Sequence, residues 1–240
     1  MERLKEKDVT SLFDRIAPVY DPMNRVMTLG AYGLWQRALM RRATLAPGQK
    51  VLDVATGTAD LAVLAARRVV PGGEVTGCDL SARMLALGVQ KISRLGEALP
   101  IRLQTGNALA LPFPDQSFDR ALVGFGLRNM QNLVQALSEM RRVVRPGGLV
   151  LSLEMSHPEH WLWASCFHLY FDHLVPWLGA LAGRNKAAYE WLPRSLALFP
   201  DRATLSALFE EAGLVNVQSW PMGFGAVAIH SGQVPEQGDD

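Results

Sequence analysis

The chain has little of what would assign it quickly. Its 240 residues include only two cysteines, Cys78 and Cys166, far apart and in unlike surroundings. They build no disulfide framework, and a reducing, cytoplasmic setting is expected. Neither sign of charge prevails: 24 Lys and Arg stand against 23 Asp and Glu, for a formal net charge of +1. The basic pairs Arg41-Arg42, Arg67-Arg68 and Arg141-Arg142 are short and read as solvated helix faces, so no nucleic-acid partner is expected. The start, MERLKEKDVTSLFDRIAP, is charged and has no apolar stretch of the kind a signal peptide needs. The most hydrophobic segment, Trp161 to Gly183, is broken by His168, Asp172, His173 and Pro176, which make a spanning helix costly. It reads as buried or interfacial, with peripheral membrane contact through 161–183 as its functional form. There is no Gly-Lys-Ser/Thr for a triphosphate cradle, and only Gly57 stands where a dinucleotide fingerprint needs three glycines. Among the histidines, His157 and His160 are three apart and His168 and His173 five apart. His157 precedes a proline and the second pair shares no helix face, so no metal site is expected.

What is present is a globular composition, 49% hydrophobic and 20% charged, in a length suited to one large α/β domain. Residues 8–45 read as helical, with Pro18 and Pro22 breaking the start and an amphipathic stretch over Ala31–Thr44. Strands follow at Lys50–Val54, Glu74–Cys78, Ile101–Gln104, Arg120–Val123 and Leu149–Leu153, with helices over Asp60–Val69, Ser81–Leu95 and Leu133–Val144 between them. Such alternation means βαβ units and a parallel sheet. The rhythm breaks after Glu154 and resumes with a helix over Arg202–Ala212 and strands at Val215–Ser219 and Gly225–His230. The expected fold is α/β and Rossmann-like: a mostly parallel seven-stranded sheet, helices on both faces and an antiparallel C-terminal strand. Residues 1–240 form one domain in this reading, with 1–45 as a helical cap, 155–200 as a helical lid insertion and 232–240 as a disordered tail.

In open α/β sheets ligands bind beyond the carboxyl ends of the strands. The polar residues there are Asp53 and Thr58, then Asp79, Asn107, the run Gly124–Asn129, and Glu154. Asp79 is suited to a ribose, because a carboxylate offers two acceptor oxygens to a vicinal diol. Asn107 can meet an adenine edge through its amide, or can simply cap a turn. Glu154 reads as a packed strand-end acid and Cys78 as a small core residue. The aromatic cluster Trp161, Trp163, Phe167, Tyr170, Phe171 and Trp177 is either core under a lid or a wall for a greasy substrate tail.

The motifs VTSLFDRIAPVYDPMN (9–24), LDVATGTADL (52–61), NALALPFPDQSFD (107–119), FGLRN (125–129), RVVRPGG (142–148), LEMSHP (153–158) and the FPD of 199–201 carry a resemblance over Val9–His230. The chain resembles the class I S-adenosylmethionine-dependent methyltransferases, and among them the ubiquinone/menaquinone-biosynthesis C-methyltransferases. The resemblance implies C-methylation of a reduced polyprenyl quinone, demethylmenaquinol first. It implies S-adenosyl-L-methionine held by Asp53, Gly57, Thr58, Asp79, Leu80, Asn107, Ala108 and Gly124. Arg128 and Asn129 would face the quinol ring, with Tyr20 and Asp21 closing over it. Arg128, with its permanent charge, is the expected group to stabilise the quinol oxyanion or orient a water that takes its proton, and Asn129 to fix the ring by hydrogen bonding. The chain departs from the family pattern in three places. Ala55-Thr56-Gly57-Thr58-Ala59-Asp60 replaces A-G-G-T-G-D, Gly124 stands for a serine, and Tyr32-Gly33 stands for His-Arg ahead of Trp35. Of the turn residues, only Gly57 is expected to need a positive φ. A methyltransferase for another aromatic or polyketide acceptor, and a non-catalytic donor-binding scaffold, are the alternatives. A homodimer is the oligomer entertained.

Overall fold

The computed structural model describes residues 6–28, 30–158, 191 and 194–236. Its centre is a seven-stranded sheet in the order β3-β2-β1-β4-β5-β7-β6. The strands are β1 (Lys50–Val54), β2 (Glu74–Asp79), β3 (Ile101–Thr105), β4 (Phe118–Gly124), β5 (Val144–Met155), β6 (Val215–Met222) and β7 (Val227–Gln233). Pairing is parallel from β3 through β5, and β7 lies antiparallel to both β5 and β6. β1 and β4 are buried along nearly their whole length, as central parallel strands covered on both faces are.

The helices are α1 (Glu6–Ile16), α2 (Tyr20–Met27), α3 (Tyr32–Arg42), α4 (Asp60–Val69), α5 (Ala82–Arg94), α6 (Leu133–Val143) and α7 (Arg202–Glu211). Side-chain caps start three of them. Ser81 Oγ accepts from Met84 N at 3.0 Å, Asn132 Oδ1 from Gln135 N at 3.0 Å, and Asp201 Oδ1 from Thr204 N at 2.8 Å. Each supplies an acceptor for an N–H that has no intrahelical partner. Helices α3 and α4 cover one sheet face with Leu39, Met40, Leu61, Ala65 and Val69, and α6 and α7 cover the other with Leu137, Met140, Leu205 and Phe209. A smaller cluster of Leu12, Ile16 and Trp191, joined by Phe13, Tyr20 and Met23, lies under the N-terminal helices.

Several boundaries differ from expectation. Pro18 lies in a short 3-10 turn, Ala17–Val19, but Pro22 does not break the helix. It is the third residue of α2, where an N–H would have no intrahelical acceptor to lose. β5 begins at Val144 and runs through Arg145-Pro146-Gly147-Gly148, pairing Val144 with Phe118 before a register shift brings Arg120 opposite Leu149. The expected frayed tail at 232–240 is overturned at its start. Gly232 and Gln233 belong to β7, and Val234 is buried and exchanges backbone hydrogen bonds with Gly147 and Gly148. Most of the expected lid at 155–200, including the 161–183 segment and its aromatic residues, lies outside the described residues.

Candidate functional site

Strand order reverses between β1 and β4, and a cleft opens there beyond the carboxyl ends of the strands, the usual ligand position in such sheets. The space between its walls is about 770 Å³ with the open mouth included. Ala55 and Gly57 from the β1 turn, Asp79, Leu80 and Ser81 after β2, Gly106–Leu109 after β3, and Gly124–Gly126 after β4 form its floor and sides. Val9, Thr10, Phe13 and Tyr20 from the N-terminal helices roof it.

Asp79 is the polar centre. Its Oδ2 accepts from Gly57 N and its Oδ1 from Ser81 N, both at 2.8 Å. Each carboxylate oxygen can accept more than one hydrogen bond, so two N–H groups aim the carboxylate without exhausting it. Burial pushes its pKa up, the two N–H groups pull it back, and nearby Asp14 pushes it further up. Leu80, a large apolar side chain with 41% exposure, stands beside it, with Met84 on the same wall. A flat ring has apolar surface to lie on there.

The turn between β1 and α4 is more strained than its single glycine suggests. Gly57 has φ 55°, but Ala55 at φ 53° and Ala59 at φ 68° are left-handed too. The expectation that only Gly57 needs this region is overturned. An L-residue with a Cβ is held there at a cost of about 1–2 kcal/mol. Asp53 secures the turn from below: it is buried, and its Oδ2 accepts from Thr56 Oγ at 2.5 Å. Burial raises its pKa to about 7, against the opposing pull of Thr56 and Ala62.

Of the residues expected around the methyl donor, Gly57, Asp79, Leu80, Asn107, Ala108 and Gly124 line the cleft; Asp53 and Thr58 do not. Thr58 is buried with its hydroxyl turned toward Asp21 and Lys91. Asn107 lines the wall, and its Oδ1 accepts from Leu109 N at 2.9 Å, capping the turn it stands in. A Cβ added at Gly124 would come within 2.6 Å of Leu61 Cδ1. Leu61 takes the space a side chain at 124 would need.

On the acceptor side, Tyr20 and Asn129 line the cleft and Arg128 does not. Asn129 Oδ1 accepts from Trp191 Nε1 at 3.0 Å. Tyr20 lies edge-to-face on Phe13, with ring centroids 6.0 Å apart. Burial raises the Tyr20 pKa, with Arg128 opposing, so its phenol remains a donor at neutral pH. Arg128 Nη1 donates to Phe125 O at 2.8 Å and to Glu154 Oε2 at 3.2 Å, and Glu154 also accepts from Leu127 N at 2.6 Å. Glu154 is fully buried, and burial pushes its pKa up while Arg128 pulls it down. The pair fixes the 3-10 turn Leu127–Asn129 from behind the wall. Cys78 is buried, its thiol pushed up to about 12 by burial, as a core residue should be. His157 Nε2 lies 3.0 Å from the Phe199 carbonyl.

Sequence reasoning gave no place in the site to Phe125, Ser81, Met84 or Lys91. Phe125 sits at φ 56° on the cleft wall, backed by Tyr32 at 5.5 Å and Trp35 at 6.4 Å between centroids. Its place at the head of the Phe-Gly-Leu-Arg-Asn motif was the available signal. Lys91 gave none, because its partners lie 31 to 70 residues away in sequence. Among the described residues no helix is long and apolar enough to cross a membrane.

The ubiE/COQ5 methyltransferase family matches residues 1–234. The demethylmenaquinone methyltransferase of Bacillus mycoides is 42% identical over 98% of this chain and 99% of its own length. That of Bacillus cytotoxicus is 41% identical over the same shares. A crystal structure of a SAM-dependent methyltransferase from Aquifex aeolicus superposes with a TM-score of 0.61 at 16% identity, over 83% of this chain and 89% of that one. At that identity the likeness speaks for the fold alone.

Proposed function

The chain belongs to the ubiE/COQ5 methyltransferase family, and on that footing we propose that it C-methylates a reduced polyprenyl quinone ring, demethylmenaquinol to menaquinol. The observation that carries the reading is Asp79: a carboxylate aimed into the cleft by two backbone N–H groups, with Leu80 and Met84 beside it. Those residues fit S-adenosyl-L-methionine. Asp79 would accept from the ribose hydroxyls, and Leu80, Met84 and the Asn107–Leu109 turn would hold the adenine. Bound there, the donor supplies a methyl group activated by the positive charge on its sulfur.

The chain's own contribution is alignment and exclusion of water. Phe125 and Met130 give the quinol ring an apolar wall. Tyr20 donates its phenolic proton toward a ring oxygen from the roof, and Asn129, held by Trp191, supplies an amide from the side. The ring carbon becomes nucleophilic as a neighbouring hydroxyl gives its proton to water at the cleft mouth, and after methyl transfer that carbon loses its own proton to water to restore the aromatic ring. Donors aimed at the oxygen favour the reactive form. The charge of Arg128 is opposed by Glu154, and its part is to hold the turn that carries Asn129. Confining methyl and ring carbon in line supplies much of the remaining acceleration. Peripheral contact with the membrane that holds the quinol belongs to the same reading.

The test is incubation with isotopically labelled S-adenosylmethionine and reduced demethylmenaquinone, with tail-less quinols in parallel. Labelled menaquinone is the expected product. Donor binding with no labelled menaquinone, or transfer to an unrelated aromatic alone, would overturn the reading.

A further inference from the structure

A polar cluster ties the β1 turn to the N-terminal helices, and the chemistry above makes no use of it. An ammonium has three donors. Those of Lys91, on α5, go to Asp21 Oδ2 at 2.6 Å, Asp60 Oδ1 at 2.7 Å and Thr58 Oγ at 2.8 Å. Thr58 Oγ in turn donates to Asp21 Oδ1 at 2.7 Å. Both oxygens of Asp21 are therefore held, one by a cation from α5 and the other by a hydroxyl from the donor-side turn. The ion pair is partly sheltered, with Lys91 and Asp21 side chains 26% and 33% exposed.

Asp21 follows Tyr20 directly, and Tyr20 is the first residue of α2 and part of the roof of the cleft. The backbone at 20–21 is thus clamped within one residue of the ring that faces the acceptor. Without the ammonium, Asp21 and Asp60 would share a site as like charges, which favours lifting α2 off the turn. Asp14 makes a separate tie, accepting from Ser81 Oγ at 2.5 Å, so α1 stays attached when the Asp21 contact is lost. Displacement would then centre on α2 and Tyr20.

We propose that Lys91 is a positioning residue: through Asp21 it sets where Tyr20 stands over the cleft and couples the donor turn to the acceptor side. The kinetic part rests on the methyltransferase reading; the structural part does not.

The test is Lys91→Met, which keeps an unbranched stem and removes the charge, measured in the full chain. Amide hydrogen exchange in α2 should rise about tenfold or more while β1 and β4 are unchanged. In methyl transfer, kcat should fall about tenfold or more, with the donor Kd moving by less than about threefold. Lys91→Arg should recover part of kcat, since it restores the charge with a different fork. In a Tyr20→Ala background the further loss from Lys91→Met should shrink to about twofold or less. Unchanged exchange in α2, a loss borne entirely by donor affinity, or an undiminished loss in the Tyr20→Ala background would each overturn the proposal. If Lys91→Met does not fold, Asp21→Asn weakens the same contact from the other side, and the same outcomes decide. If the unaltered protein methylates no quinol, the function reading fails while the exchange measurement still decides the role of Lys91.

Discussion

Glu154→Ala is the sharpest perturbation of the loop that carries the acceptor side. Glu154 is fully buried, and the Arg128 side chain it pairs with is only 8% exposed. Removing the carboxylate leaves a buried guanidinium without its counter-charge, worth about 3–5 kcal/mol. It also orphans the Leu127 N–H, worth about 1–3 kcal/mol. Both losses come from one carboxylate and overlap, so about 4 kcal/mol is expected in all. For a chain of this length each kcal/mol moves Tm by about 2–4 °C, which predicts a fall of roughly 8–16 °C. Glu154→Gln keeps the shape and an acceptor for Leu127 N–H and should cost less. Adding Arg128→Met to it should recover stability, because replacing both members of a buried pair by neutral groups is milder than removing one. Urea unfolding at neutral pH, with m compared across variants, reads all three. A loss under about 1 kcal/mol for Glu154→Ala, or no recovery in the double variant, would refute a loop held by this pair.

Further predictions follow from the β1 turn and its neighbours. With the Asp53 pKa near 7 when folded and in the ordinary carboxylate range when unfolded, unfolding releases a proton between about pH 4 and 7. Stability therefore falls as pH rises through that window and levels off above it, by up to about 4 kcal/mol for an isolated site. Asp53→Asn should flatten the slope; urea midpoints at pH 5 and 8 check it, and a slope kept by the variant contradicts the assignment. Ala59→Gly relieves about 1–2 kcal/mol of left-handed strain. It loses a buried methyl worth about 0.8 kcal/mol and about 0.4–1 kcal/mol through the freer unfolded chain. Thermal unfolding should find it within about 1 kcal/mol of the natural protein, and a loss above about 2 kcal/mol would mean the strain is absent. Gly124→Ser should destabilise by about 1–3 kcal/mol through Leu61, and a Leu61→Ala background should reduce that cost.

Local patterns were legible where local physics decides. The ten residues Asp60–Val69 bury Leu61, Ala62, Ala65, Ala66 and Val69 at helical spacing, and Ser81 caps α5 as its position before an amphipathic run implies. Asp79 was visible because a strand followed by an acid needs no tertiary information. Elements decided by distant partners were not. Pro146-Gly147-Gly148 reads as a turn in isolation, yet β4 and Val234 draw it into the sheet. Ala59 is left-handed within the turn that also brings Gly57 N to Asp79, and an alanine carries no mark of that backbone state. Thr58 leaves the cleft for Asp21 and Lys91, residues 37 and 33 positions away. Arg128 is drawn behind the wall by Glu154, 26 positions on.

The central claim is that the cleft built on Asp79 holds S-adenosylmethionine, and titration calorimetry with the natural protein and with Asp79→Ala tests it most directly. Losing hydrogen bonds between a charged carboxylate and the ribose hydroxyls should weaken binding by about 1.5–3 kcal/mol, a rise in Kd of roughly ten- to 150-fold. Thermal unfolding without ligand accompanies the titration, so that a lost fold is not mistaken for a lost contact. Saturable binding by the natural protein, weakened to that degree in a folded Asp79→Ala, is the predicted result. Equal affinity in the two proteins, or no binding by the natural one, would contradict the account.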